Sequence, residues 1–296
     1  MAIEFVPAEA MVAPPPGFLR RLRRALRGDP LAIAALVVLG GLLVMAVFGS
    51  RIAPFPAQGE GASDVAARML PPSAAHLFGT DQLGRDVFSR VITGARGAVA
   101  VSLLVVGLAA AIGMPLGALA GYRGGRIDAV IMRTTDLFLA FPSLLLAMAI
   151  VAAIGPGLDH VAIALAISWW PWYARLARGT AVSLREQTFV EAARSTGLPD
   201  RTILARHILP NSLTPILVQA TIDIGTVILA AGSLAFLGLG ASPPSPDWGL
   251  MVSEGRTYIL DQWWISTFPG LAIFVSVLAV NILGDLLRDM LDPRRR

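Results

Sequence analysis

The chain has 296 residues, of which 55% are hydrophobic and only 15% charged, with a formal net charge of +4 and a mean hydropathy of +0.68. That balance excludes an ordinary soluble domain and predicts an all-α, polytopic membrane protein. All 24 basic residues are arginine and cysteine is absent, so a P-loop lacks its lysine and a Cys/His zinc cluster lacks its thiols, while His76, His160 and His207 fall in separate segments; no catalytic, metal or cofactor site is expected on this chain.

Residues 1–30 read as a cytoplasmic tail. Within FLRRLRRALRGDP, Phe18, Leu22, Ala25 and Leu26 recur at helical spacing with arginines on the other side, which predicts a short helix lying on the inner membrane surface. Asp29 and Pro30 supply a cap and a first helical position for the first span, 31–48, whose apolar run exceeds a signal-peptide core and reads as a retained anchor. Five further apolar runs, at 98–120, 137–154, 161–177, 215–239 and 265–283, complete six expected transmembrane helices. The runs are continuous and not alternating, which argues for helices over barrel strands. With both termini inside, eighteen of the 24 arginines lie on the cytoplasmic side, as the positive-inside rule requires. The basic charge therefore reads as topology and contact with anionic lipid, not nucleic-acid binding.

The segment 49–97 is expected outside the membrane. There His76 reads as a hydrogen-bonding residue, and Asp81, Arg85, Asp86 and Arg90 as exposed ion pairs of a structural lid or subunit contact. The rest, 98–289, is a core of five spans interrupted by the polar segment 184–210, and 290–296 is a basic cytoplasmic tail.

From Arg185 to Arg206 the charged side chains are Arg185, Glu186, Glu191, Arg194, Asp200, Arg201 and Arg206. Inserting them into hydrocarbon would cost on the order of 20 kcal/mol, so the segment stays in water. It is nevertheless patterned: Phe189, Ala192, Ala193 and Thr196 recur at helical spacing, Gly197 suits a left-handed stop, Pro199 opens a second helix, Ile203, Leu204, His207 and Ile208 form its apolar stripe, and Pro210 closes it. The pattern fits either a loop packed on its own bundle or a knob presented to a partner. Asp223, deep in the fifth span, is either a helix-to-helix hydrogen-bonding residue or a lining residue of a pathway. Trp263 and Trp264 are expected at the outer interface.

The stretch EAARSTGLPDRTILARHILPN resembles the EAA signature of importer-type ABC permeases, with His207 where the general pattern has isoleucine. Together with HLFGTDQLGRDVFSR, LAFLGLG, PSPDWG, FPGLAI and NILGDLLRDMLDPR, it resembles the C-type permease of the dipeptide, oligopeptide and nickel branch. The resemblance implies the type I importer permease fold. It also implies an ATPase-coupling role for Glu191, Ala192, Ala193, Arg194, Gly197, Asp200, His207, Leu209 and Pro210, and binding-protein contacts at Trp248, Glu254 and Arg256. The implied partners are a B-type permease, two ATPase subunits that carry ATP and Mg, and an extracytoplasmic substrate-binding protein. The implied cargo is a di- or oligopeptide, with nickel or glutathione as alternatives. An ion-coupled secondary transporter or a membrane scaffold is the competing reading of the residues alone.

Overall fold

A computed structural model describes residues 29–291. The surface helix expected before Asp29 and the last residues of the basic tail lie outside the described residues. The first helix, α1 (Pro30–Ile52), begins as expected, with the Asp29 carboxylate accepting from the backbone N–H groups of Leu31 at 2.9 Å and Ala32 at 3.2 Å. Only Ala32, Ala35, Leu42 and Gly49 on this helix are buried; the remaining, mostly apolar, surface suits lipid.

Helix α2 (Val87–Arg123) has 37 residues, about 55 Å at 1.5 Å per residue, so it outruns the hydrocarbon and starts eleven residues before the expected span. It packs most extensively on α5 (Leu158–Arg185), which runs unbroken through Pro171. The contact is made by Gly113, Gly117 and Gly121. A Cβ on each would collide with the carbonyl oxygen of Trp170, Ala174 and Arg178, respectively. The same four-residue step on both helices shows two parallel ridges meeting backbone to backbone. Around this seam lies a core of Val105, Ala109, Val161, Leu165, Tyr173 and Leu234.

The expected third span is divided. α3 (Gly125–Leu139) and α4 (Ser143–Ile154) meet at 84°, and α4 alone has 12 residues, too few to cross hydrocarbon. The break falls at Phe141-Pro142, where proline drives its predecessor out of the helical region. Of the expected fourth and fifth spans, α5 is mostly interior, and α8 (Leu209–Phe236) continues a helical rod that starts at Asp200. A short helix, α9 (Trp248–Gly255), precedes α10 (Trp264–Leu291). Among the described residues, four helices are long and apolar enough to cross a membrane, or five if the bent pair forms one span. The chain segments 53–86 and 237–263 cover one end of this bundle, and 186–208 form a knob at the other.

Candidate functional site

The knob consists of α6 (Thr188–Ser195), α7 (Asp200–Ile203) and a π-helical turn, Leu204–Ile208, that runs into α8. At the end of α6 the N–H of Leu198 reaches the carbonyl of Ala193 and that of Gly197 the carbonyl of Arg194, with Gly197 at φ +77°. This pair of bonds is the Schellman stop that the glycine predicted. A Cβ at Gly197 would meet nothing within 4 Å, so the demand there is conformational and not steric.

The inward face of α6 is turned from the expected one. Val190 and Ala193 are buried, whereas Phe189, Glu191, Ala192 and Arg194 are exposed. Val190 and Ala193 pack with Ile203 and Ile208 of the second limb on Ala118 and Tyr122 of α2 and Ala181 of α5. Pro210 does not close the helix. Leu209 N–H bonds to the carbonyl of Leu204, the wider π spacing, and the helix continues through Leu209 and Pro210 into α8. Leu209 is half-buried and Pro210 exposed at the root of the rod, while His207 is half-buried with its ring 6.1 Å from that of Phe189.

Asp200 faces α2. Its Oδ1 accepts from the Tyr122 hydroxyl at 2.9 Å, and its Oδ2 lies 3.6 Å from Nε of Arg123. The Arg194 guanidinium sits 5.8 Å above the Tyr122 ring, and its neighbours Tyr122, Asp200 and Glu191 push its pKa up further. Tyr122 was not legible as a site residue, because its partner lies 78 residues away in sequence. Below the knob, Arg178 of α5 forks onto Asp128 of α3 at 2.5 and 2.7 Å, and Arg175 pairs with Asp136 at 2.5 Å.

Asp223 is buried within this chain's own bundle. Its Oδ1 accepts from Gln219 Nε2 at 3.0 Å, and it lies close enough to Tyr173 of α5 for the two to interact, although neither Oδ2 nor the Tyr173 hydroxyl completes a hydrogen bond.

At the covered end the expected exposed ion pairs are buried. Arg85 and Arg90 have no exposed side-chain surface, and Asp81 Oδ2 lies 2.6 Å from Arg85 Nε and 3.8 Å from Arg90 Nε. Glu254 of α9 closes the cluster, 3.0 Å from Arg85 and 3.8 Å from Arg90. Arg90 also donates to the carbonyl of Ser245 at 3.0 Å. His76 Nδ1 is 2.8 Å from Asp86 Oδ1, a hydrogen-bonding role as expected.

Trp248 is no exposed contact. It is buried, with its indole N–H on the Val91 carbonyl at 2.9 Å, because α9 lies against α2. Trp264 is likewise buried, on the Thr80 carbonyl at 3.1 Å, and only Trp263 of the expected interfacial pair is exposed. Arg256 is exposed, stacked 5.6 Å over Phe236. Asp247 caps α9 by accepting from Leu250 N–H at 2.9 Å; burial raises its pKa, and the N–H bonds from Leu250 and Gly249 oppose that rise.

Residues 113–296 match the family described as binding-protein-dependent transport system inner membrane component. The chain belongs to that family of ABC transporter permeases. Residues 17–72 of the permease also match the N-terminal TM domain of oligopeptide transport permease C, which makes it a C-type subunit. It is 48% identical over 269 residues to the probable D,D-dipeptide transport system permease protein DdpC of Escherichia coli K12, covering 91% of this chain and 89% of that protein. It is 44% identical over 277 residues to the dipeptide transport system permease protein DppC of Alkalihalophilus pseudofirmus, covering 94% and 90%. The glutathione transport system permease protein GsiD of Escherichia coli O6:K15:H31 is 47% identical, covering 94% and 89%. Among solved structures, the inward-facing MetNI methionine ABC transporter in its native crystal form shares the fold at a TM-score of 0.56 and 18% identity, over 68% of this chain and 96% of that one. The permease is thus a multi-pass inner-membrane transport subunit of an ATP-driven importer, with ATPase activity on separate subunits.

Proposed function

We propose that this permease imports di- or oligopeptides, paired with a B-type permease, with the knob seated on an ATPase subunit in the cytoplasm and the covered end facing an extracytoplasmic binding protein. The observation that carries the reading is the knob itself. Its inner face is spent on α2 and α5, while Phe189, Glu191 and Ala192 are left exposed on a helix stopped by a left-handed glycine. An exposed polar-apolar face on a fixed turn suits a partner's groove better than it suits bulk water. ATP closure of the ATPases must favour one arrangement of the spans over another, and the knob's continuity with α8 supplies the lever. The names of DdpC, DppC and GsiD support a peptide-class cargo, glutathione included. The burial of Asp223 beside Tyr173 of α5 supports a role in packing α8 on α5, although its hydrogen bond is to Gln219 of its own helix.

Gly197→Val tests the coupling. A β-branched residue at φ +77° carries a left-handed penalty of about 1–2 kcal/mol or more, enough to re-aim α6. In the reconstituted transporter, binding-protein-stimulated ATP hydrolysis should fall at least tenfold while the subunits still assemble. Hydrolysis at the unmodified rate would remove the coupling role.

A further inference from the structure

A cavity of about 240 Å³ opens between the end of α1, the start of α2 and the covering loops. One wall is apolar, made by Met45, Ala46 and Val47 of α1; the other carries Ser50, Glu60, Thr93 and Arg96. The first apolar run ends at Phe48 and the second begins at Ala98, so the cavity sits where hydrocarbon gives way to water. Glu60 and Arg96 are both exposed, and neither side chain has an ion-pair or hydrogen-bonding partner among the described residues. They line one cavity without pairing with each other, so a ligand bearing both charges would satisfy both.

We propose that this cavity binds a phospholipid with a primary ammonium headgroup, phosphate on Arg96 and ammonium on Glu60, with an acyl chain along Met45 and Val47. The cavity is large enough to admit a small polar headgroup. Arginine matches phosphate through its fork of donors, and a primary ammonium donates to a carboxylate. A trimethylammonium has no N–H to donate, and a glycerol headgroup has no cation. A free phosphate ester would leave Glu60 unpaired and the apolar wall wet.

The purified transporter complex is incorporated into nanodiscs of equimolar phosphatidylethanolamine, phosphatidylcholine and phosphatidylglycerol, then released, and its retained lipids are counted by native mass spectrometry. The unaltered complex should retain phosphatidylethanolamine about tenfold over the other two. Glu60→Gln should bring phosphatidylethanolamine down to parity with phosphatidylglycerol while lipid is still retained, and Arg96→Gln should lower retention of all three. A folding defect would not split selectivity from retention in this way. Retained lipid in the bulk ratio, or both variants behaving like the unaltered complex, would overturn the proposal. The site does not depend on which solute the transporter carries, so this result stands apart from that of Gly197→Val.

Discussion

Glu254 is the acid on which two fully buried guanidinium groups converge from a different part of the chain. The family resemblance implied a docking residue there. Docking can therefore not be read from charge changes at Glu254, because removing the acid leaves Asp81 as the one carboxylate paired with Arg85 and Arg90 among the described residues. Breaking a buried pair by deleting one partner costs about 3–5 kcal/mol. Glu254→Gln should lower the thermal midpoint of the detergent-solubilised chain markedly, and an unchanged midpoint would mean that the cluster contributes little. Arg256, exposed on the same short stretch, is the position at which a docking contact can be tested without that confusion. The ion pairs of 76–90 were visible as residues in the sequence. Their burial was not, because it depends on α9, which arrives 169 residues later.

The knob's connections differ from element to element. It continues into α8 through backbone, and it joins α5 through the two-residue link Glu186-Gln187 and through packing on Ala181. It has no backbone link to the end of α2, which is held by side chains, chiefly Tyr122. That residue touches both limbs, Asp200 by its hydroxyl and Arg194 by its ring. Tyr122→Phe keeps the apolar plug among Ala118, Val190 and Ile203 but releases Asp200. On the coupling reading, the variant should assemble normally yet transport about three- to tenfold less solute per ATP hydrolysed, the range expected for one net hydrogen bond. Combining it with Asp200→Asn should add no further loss, and strictly additive losses would show that the bond does not carry the motion. The two limbs of the knob were legible from Gly197, Pro199 and the stripe ending at Ile208. The facing of α6 was not, since its spacing admits several neighbouring faces and the position of Tyr122 selects among them.

At the scale of the molecule, the seam between α2 and α5 packs backbone to backbone over Gly113, Gly117 and Gly121, in the half of α2 that leads to the knob. Substrate choice is tested on the binding protein, which meets the solute first on the reading proposed above. Titrating the cognate binding protein with dipeptides, longer peptides, glutathione and Ni²⁺ should give saturable heats with a peptide-class ligand. Binding of Ni²⁺ alone would replace the peptide reading.

By itself the sequence determined the class of solvent, the number of apolar runs, the stop at Gly197 and the family, because each depends on composition or on spacing within a few turns of chain. Tertiary structure alone decided that the third span breaks at Phe141-Pro142 and meets its other half at 84°. It also decided that Pro210 is carried through a π turn, that Trp248 and the 81–90 charges are interior, and that Asp200 answers to Tyr122. The physical reason is common to these cases. A charge or a proline has a local preference that sequence can state, but its partner and its burial are set by elements brought together from distant parts of the chain.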